Sequence, residues 1–144
     1  MSIPKLKSLI KLPPKPPKRI GGVVVKSNDK VLLVKRSEGA GKYPNFWAVP
    51  MGHVESGEKF IEAAAREFQE ETMLDIDSDS LVYLDTLKDT KYNRMLRLYK
   101  VELPNQPEPK LDEEHTDWGY YDVKSLPRPI EDNLRVTLEL KVWA

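Results

Sequence analysis

GHVESGEKFIEAAAREFQEETML, residues 52–74 of this chain, gives the strongest structural signal in the sequence. Its apolar side chains recur at spacings of three and four residues, the period of an amphipathic helix, at Phe60, Ile61, Ala64, Ala65 and Phe68. We predict a helix over residues 57–72, with Ser56 as its N-cap and Glu58 in the first turn, where the helix dipole favours an acid.

Three carboxylates lie on one face near the end of this predicted helix. Glu67, Glu70 and Glu71 stand at positions i, i+3 and i+4, which are neighbours on a helix surface. Like charges at this spacing repel each other by roughly 0.2–0.5 kcal/mol per pair, and a solvated acidic face is the common explanation. The alternative is a cation site, because carboxylate oxygens are the ligands that hard divalent cations prefer. The adjacent apolar stripe places these acids beside a core and favours the cation site.

The flanking segments indicate a mixed sheet with helices packed on it. Two β-branched runs, residues 23–25 and 31–34, are separated by the turn residues 27–29 and predict a hairpin. Further strands are predicted at residues 46–49, 81–87, 95–103 and 118–123, with loops at 37–45, 88–94 and 104–117 and a second helix at 131–143. This order of elements favours an α+β fold or an α/β/α sandwich.

Length and composition exclude several classes of protein. The 144 residues are 40% hydrophobic and 32% charged, which suits one globular domain. No apolar run approaches the roughly 18 residues of a membrane span, so no membrane partner is expected. There is no cysteine, which excludes disulfides and thiolate ligands. Only His53 and His115 offer ring nitrogens, and both are expected to make structural hydrogen bonds, so oxygen ligands and a hard cation are predicted for any metal.

The charge is unevenly distributed along the chain. There are 23 basic and 23 acidic residues, yet residues 1–19 contain six basic residues and no acid. The same segment contains five of the twelve prolines, and its run LPPKPPK at residues 12–18 is expected to be polyproline II or disordered. We therefore predict a basic proline-rich arm at residues 1–19 and one domain at residues 20–144. The arm is either a solvated tail or a segment that binds phosphates, RNA included, an acidic partner or the acidic body of the chain itself. No DNA partner is expected.

The spacing within residues 52–74 resembles the Nudix box, Gly-x5-Glu-x7-Arg-Glu-U-x-Glu-Glu-x-Gly-U, where U is a bulky apolar residue. The fixed positions of the box match at Gly52, Glu58, Arg66, Glu67, Glu70 and Glu71. The flanks agree, with FWAVP at residues 46–50, EEH at 113–115 and WGYY at 118–121. The chain is thus similar to the MutT-like Nudix hydrolase family over about residues 20–143, and the resemblance implies that family's mixed sheet flanked by helices.

Two positions depart from the family pattern. Met73 stands where the box has its second glycine, and Met51 replaces the first glycine of the usual Pro-Gly-Gly before the box. A side chain in a left-handed backbone at a helix end costs about 1 kcal/mol, so we expect the chain to leave the helix differently at Met73. Met51 is expected to alter the loop beside the metal. Neither change removes a carboxylate.

The resemblance implies hydrolysis of a nucleoside diphosphate linked to another group, with Mg²⁺ as cofactor and Mn²⁺ as an alternative. Carried over by position, Glu67, Glu70 and Glu71 are the catalytic metal ligands, and one of them doubles as the base. The backbone carbonyl of Gly52 is a further expected ligand. Magnesium ions at such a site neutralise the diphosphate and lower the pKa of an attacking water.

The resemblance also assigns supporting residues. Arg66 and Glu58 are expected to hold the acid cluster in place, as metal sites commonly require. Arg66 is also counted with the catalytic residues. A further acid from a downstream loop usually binds metal or serves as base in this family. Glu114 is the first choice for that catalytic and metal-binding role and Glu113 the second.

For the substrate, the sequence offers Arg36 and Arg94 for phosphates and Tyr92 for stacking on a base. Tyr92 lies 18 residues past Leu74, and in the family a tyrosine near this distance goes with dinucleoside polyphosphates. A proline slightly nearer the box goes with ADP-ribose, and Asp89 occupies that position here. The pattern favours dinucleoside polyphosphates and leaves nucleoside triphosphates and ADP-ribose open.

Two other functions stay open at this point. One is a catalytically silent nucleotide-binding or regulatory module, which the changes at Met51 and Met73 motivate. The other is an RNA 5′-end processing hydrolase that uses the basic arm. A cytoplasmic location is expected from the lack of cysteine and of a secretory signal, and a homodimer is left open.

Overall fold

The computed structural model describes residues 13–144, which form one mixed seven-stranded sheet with a helix on each face. The strands are β1 (Lys18–Ser27), β2 (Lys30–Arg36), β3 (Trp47–Ala48), β4 (Met51–His53), β5 (Val82–Asp89), β6 (Arg94–Glu102) and β7 (His115–Tyr121). The helices are α1 (Phe60–Thr72) and α2 (Asp132–Lys141), with a short 3₁₀ helix at Ser78–Ser80. The predicted α+β class is confirmed. Residues 1–12 of the predicted arm lie outside the described residues.

Strand β1 is at the centre of the sheet. The main strand order is β3-β2-β1-β6-β5, while β4 also pairs with β1 and β7 with β2. The β1–β6 pair is parallel, and the β1–β2 pair is an antiparallel hairpin. Its turn residues Asn28 and Asp29 have φ values of 50° and 63°, as a two-residue hairpin turn that follows the sheet twist requires. The predicted hairpin is therefore confirmed.

Alternate residues of the central strands supply two separate cores. Val23 and Val25 of β1 pack with Phe68 of α1, whereas Val24 packs with Leu138 of α2. A central strand covered on both faces is expected to be apolar along its whole length, which accounts for the unbroken valine run. The two cores fix α1 and α2 on opposite faces of the sheet.

Helix α1 begins later than the sequence predicts. Its first residue is Phe60, and the backbone N–H of Lys59 donates to the Glu62 carboxylate at 2.9 Å. Gly57 has a φ of +82°, outside the right-handed helical region, so the predicted start at residue 57 and the cap at Ser56 are wrong.

The end of α1 also differs from expectation. Met73 keeps the left-handed conformation, with φ 59° and ψ 17°, and its N–H donates to the Gln69 carbonyl at 2.8 Å. Its side chain is 59% exposed, so it meets little steric resistance from neighbouring side chains. The expected change in the exit from α1 is wrong, because the hydrogen bond to Gln69 preserves the glycine-like cap.

The N-terminal arm and the sheet overlap by two residues. Lys18 and Arg19 belong to β1, and the N–H of Lys18 donates to the Asn93 carbonyl at 3.0 Å. Residues 13–17 are exposed and lie in neither helix nor strand. The structure thus starts the ordered sheet at residue 18, while the division into arm and domain stays a prediction.

Candidate functional site

An open cleft lies between α1, β4 and the loops that follow β2 and precede β7. It encloses about 1210 Å³, open solvent included. Its lining brings together acidic side chains, a glycine backbone and basic side chains: Glu67, Glu71, Glu113 and Glu114, then Gly52, then Arg36, Lys42 and Arg94. Most of the predicted site residues therefore share one cavity although they come from distant parts of the chain.

Glu67 lies directly against Gly52. A Cβ atom on Gly52 would be 2.0 Å from Cδ and 2.3 Å from Oε2 of Glu67, which is far inside van der Waals contact. The Glu67 carboxylate can occupy this position only because residue 52 has no side chain. Burial raises the pKa of Glu67, and hydrogen bonding to Arg66 opposes that rise.

Glu71 is the most buried of the predicted ligands. Its exposed fraction is 3%, and its Oε2 has no hydrogen-bond partner among residues 13–144. Burial raises the pKa of Glu71 to about 9, and the nearby charges of Glu67, Asp112 and Glu114 add to the rise. A buried carboxylate without a partner is costly, and a cation would offset that cost.

A histidine connects Glu71 to the loop that contains Glu114. Nδ1 of His115 lies 2.7 Å from Oδ1 of Asp112, and its Nε2 lies 3.5 Å from Oε1 of Glu71. Oδ1 of Asp112 also accepts the backbone N–H of Glu114 at 3.2 Å. Glu71, Asp112 and His115 form a group of potential metal ligands whose ligand atoms lie within 4.8 Å of one another.

The sequence reasoning missed Asp112 and gave His115 only a structural hydrogen bond. The one available signal was the spacing Asp-x-x-His at residues 112–115, which is too common to be informative alone. The approach of this pair to Glu71 depends on the pairing of β7 with β2, and such long-range contacts leave no local pattern.

Arg66 links the loop before α1 to the acid cluster. Its Nε and Nη2 donate to the two carboxylate oxygens of Glu58 at 2.8 and 3.0 Å, and Nη2 also donates to the His53 carbonyl at 2.9 Å. Nη1 donates to Glu67 at 3.0 Å. The hydrogen bonds to Glu58 and Glu67 raise the pKa of Arg66, while the hydrogen bond from Arg66 lowers the pKa of Glu58.

Glu70 does not line the cleft with its two neighbours. Its side chain is 52% exposed and lies 3.3 Å from Nη1 of Arg66. The arrangement therefore brings together two of the three predicted α1 carboxylates, Glu67 and Glu71, and leaves the third at the outer side of Arg66.

A second, mainly apolar cleft adjoins the first. It spans about 550 Å³, open solvent included, and shares Arg36, Met51 and Arg94 with the acidic cleft. Arg94 is held by Asp89, whose Oδ2 accepts from Nη2 at 2.9 Å and from Nε at 3.1 Å. The other walls are predominantly aromatic and aliphatic, and include Tyr43, Phe46, Trp47, Leu87, Leu96 and Leu134. The altered residue Met51 is thus part of the wall between the two clefts.

Tyr92 is not among the residues that line either cleft. Its ring lies edge-on to Tyr43, with centroids 5.2 Å apart, and its N–H donates to Oδ1 of Asp89 at 3.2 Å. Tyr43 itself lines the apolar cleft, and its hydroxyl donates to Oδ2 of Asp89 at 3.2 Å. Of these two rings, Tyr43 is the one that lines the apolar cleft, and Tyr92 packs against it from outside.

Within residues 13–144, no helix is both long enough and apolar enough to cross a membrane.

Comparison with known proteins gives consistent matches. The sequence model of the NUDIX domain matches residues 15–140. The m7GpppN-mRNA hydrolase NUDT17 of Xenopus laevis is 55% identical over 53 residues, which are 36% of this chain and 18% of that protein. The ADP-ribose pyrophosphatase of Methanocaldococcus jannaschii is 28% identical over 126 residues, 86% of this chain and 72% of that protein. The chain thus spans less than a fifth of the NUDT17 relative and most of the archaeal one.

A solved structure supports the same comparison at the level of the fold. The MutT NUDIX hydrolase from Burkholderia pseudomallei has a TM-score of 0.75 to this chain at 23% identity. The superposition covers 87% of this chain and 98% of the other, so the two share the same fold.

Proposed function

Because this chain belongs to the Nudix hydrolase family, we propose that it hydrolyses the pyrophosphate bond of a nucleoside diphosphate linked to another group, with a divalent cation. The observation that carries the proposal is the lining of one cleft by Glu67, Glu71 and Glu114 together with Arg36 and Arg94. Carboxylates suit hard cations, and guanidinium groups suit phosphate oxygens. One cavity thereby offers ligands for both partners of a metal–pyrophosphate complex.

The donors of the acidic cleft fit such a cation. Glu71 has a buried oxygen without a hydrogen-bond partner among the described residues, and Glu67 lies against the Gly52 backbone. We assign Glu67, Glu71, Glu114 and the Gly52 carbonyl as ligands of Mg²⁺, with Mn²⁺ as the alternative. When bound, the cation would neutralise the diphosphate and lower the pKa of the attacking water.

The remaining acidic and basic side chains position this set. Arg66 holds Glu67 by a hydrogen bond and is itself held by Glu58, so we assign Arg66 and Glu58 as positioning residues. Glu70, the remaining predicted ligand, is paired with Arg66 and 52% exposed, so it would have to rotate away from Arg66 to bind the cation. Glu114 is exposed at the cleft, and we assign it the role of accepting the proton of the attacking water.

The apolar cleft is the proposed site of the nucleoside base. Its walls are mainly apolar and aromatic, with Arg36, Arg94 and Glu131 among the polar groups, which is the usual composition of a ligand pocket. Arg36 and Arg94 lie at both clefts, so a phosphate between them would join the base to the acidic cleft. Dinucleoside polyphosphates are our first proposed substrates, followed by nucleoside triphosphates and ADP-ribose.

The test is product release across these substrates and capped RNA, with Mg²⁺ and with EDTA. We expect turnover with Mg²⁺, none with EDTA, and a loss of at least about 100-fold in Glu71→Gln, since metal ligands contribute several kcal/mol to such reactions. Glu102→Gln, at the exposed end of β6, is the matched control and should keep full activity. If no compound is turned over while nucleotides still bind, the hydrolase proposal is wrong and the silent regulatory module replaces it.

An RNA 5′ end is the second candidate substrate. Lys15, Lys18 and Arg19 are exposed and directly precede Ile20, which lines the acidic cleft. The NUDT17 relatives carry the name of an mRNA hydrolase, and a relative from Pelagibacter ubique is named an RNA pyrophosphohydrolase. Basic side chains at this point would contact phosphates next to a 5′ end held in the cleft.

Substitution is the correct test of this candidate, because a deletion of residues 1–19 would remove part of β1. With Lys15, Lys18 and Arg19 each changed to Gln, the slope of log affinity against log salt should fall by about 0.7 per removed charge for single-stranded RNA. Hydrolysis of small nucleotides should stay unchanged. RNA binding that is absent, or insensitive to salt in the unchanged protein, would exclude this candidate.

A further inference from the structure

The group Glu71–His115–Asp112 contains a nitrogen atom that an oxygen-only magnesium site does not need. The side chains of His115 and Glu71 are 3% and 4% exposed, so neither is solvated. Oε2 of Glu71 has no hydrogen-bond partner within residues 13–144. The buried Glu71 carboxylate therefore has one unsatisfied oxygen, Oε2, while its other oxygen, Oε1, faces a buried imidazole.

Asp112 fixes the orientation of the His115 ring. Nδ1 of His115 lies 2.7 Å from Oδ1 of Asp112, and this contact turns the other ring nitrogen, Nε2, toward Glu71. The imidazole thus has one nitrogen paired with Asp112 and the other facing a carboxylate inside the protein.

The separation of these two atoms places them within reach of one shared ion. Nε2 of His115 and Oε1 of Glu71 are 3.5 Å apart, at the limit beyond which a polar contact is no longer a hydrogen bond. Neighbouring ligands at about 2.1 Å from one octahedral ion are about 3.0 Å apart, so an approach of about 0.5 Å would let both atoms bind the same ion. Glu71, Asp112 and His115 are also the group whose potential ligand atoms lie within 4.8 Å of one another.

We propose that Nε2 of His115 and the carboxylate of Glu71 bind one divalent transition-metal ion, with Asp112 as the positioning residue for the imidazole. Imidazole is a ligand for transition metals, whereas Mg²⁺ selects oxygen. A carboxylate that accepts the second N–H of a ligating histidine is the usual partner in such sites. The inference deepens the proposed function, on which its assignment of Glu71 rests, because it adds a nitrogen ligand, which Mg²⁺ does not favour, to the metal-binding cleft.

The probe is Mn²⁺ alone, followed by electron paramagnetic resonance on the full chain. Electron spin echo modulation detects a nitrogen bound to Mn²⁺, and labelling with ¹⁵N-histidine changes that modulation. His53 and His115 are the only histidines, so in His53→Asn any histidine signal belongs to His115. We expect the isotope-sensitive modulation to persist in His53→Asn and to disappear in His115→Asn, whose amide can still donate to Asp112.

Affinities give the second readout. We expect Mn²⁺ to bind about 10–100-fold more weakly in His115→Asn, the size of effect seen when metal-site partners are removed, with Mg²⁺ affinity changed by less than about threefold. Asp112→Asn should weaken Mn²⁺ binding in the same direction. The unfolding temperatures of the metal-free variants show whether they fold, and the isotope experiment on His53→Asn needs no change at His115.

The outcomes separate this inference from the proposed function. Mn²⁺ bound without histidine modulation, with Mg²⁺-dependent turnover intact, overturns the nitrogen ligand and leaves the hydrolase standing; a proton then lies between His115 and Glu71. A signal that disappears in His53→Asn also overturns it. Absence of turnover and of any metal binding contradicts the proposed function itself.

Discussion

Substitution of Gly52 by alanine tests the geometry of the acidic cleft with a single methyl group. The added Cβ would lie 2.0 Å from Cδ of Glu67, whereas ordinary contact begins near 3.4 Å. The carboxylate must therefore move by about 1.4 Å, and a misplacement of about 1 Å at a reacting centre can reduce the rate roughly 100-fold. Gly52 is not among the residues with positive φ, so alanine adopts the same backbone without strain.

We expect kcat for the best substrate to fall about 100-fold in Gly52→Ala, since about 1 Å of displacement is enough for that loss. The apparent Mg²⁺ affinity should fall with it. The unfolding temperature should change little, because the displaced atoms are at the end of a flexible side chain. Gly41→Ala is the matched control: Gly41 lines the same cleft, and a Cβ there would meet nothing within 4 Å.

Two results would refute this reasoning. One is a Gly52→Ala enzyme with normal kcat and normal Mg²⁺ affinity, which would mean that the position of Glu67 is irrelevant to the reaction. The other is an equal loss in Gly41→Ala, which would attribute the effect to the cleft in general. A large fall in unfolding temperature would instead identify misfolding as the cause of inactivity.

Three further predictions concern stability, measured by denaturant unfolding. Met73→Gly should stabilise the protein by about 0.5–1 kcal/mol by relieving the left-handed φ of 59°; a loss of stability would contradict the cap as described. Gly21→Ala should destabilise it by about 1–3 kcal/mol, because the new Cβ would lie 2.7 Å from a backbone oxygen of α1; an unchanged stability would refute the close packing of α1 on β1. With EDTA, Glu71→Gln should stabilise the protein by up to about 3 kcal/mol at pH 7. The pKa of Glu71 is about 9 in the folded protein, against an ordinary value of 4.5. The protonated carboxyl is fully compatible with the folded state below pH 4.5, and between pH 4.5 and 9 ionisation increasingly favours the unfolded state. The stability gained by Gln should therefore grow between about pH 5 and 8, and a pH-independent difference would contradict this prediction.

Local periodicity predicted the elements that bury a regular apolar face. The spacing of Phe60, Ala64 and Phe68 gave α1, and the valine runs with their Asn28-Asp29 turn gave the hairpin, because these signals lie within a few residues of each other. The helix start was wrong because the glycine at position 57 interrupts the helical backbone, which a capping pattern alone does not reveal.

The candidate site was only partly predictable for the same reason. Gly52 and Glu67 were found through their fixed spacing, and the structure places them in contact. The rotation of Glu70 toward Arg66 and the approach of His115 to Glu71 depend on side-chain packing between elements that are distant in sequence. Neither hydrophobic periodicity nor secondary-structure propensity encodes such contacts, so they are visible only in the three-dimensional structure.

The central position of β1 has a consequence for the synthesis of the chain. Residues Lys18–Lys26 pair in parallel with Arg94–Glu102, so the middle of the sheet cannot close until most of the chain has left the ribosome. Folds dominated by such distant pairings form slowly, and until then the valine run of β1 is an exposed aggregation-prone edge. Charged residues that flank such a strand reduce intermolecular pairing, and Lys18, Arg19 and Lys26 stand at its two ends. The basic residues at the start of β1 would thus protect the nascent protein before they could meet any substrate.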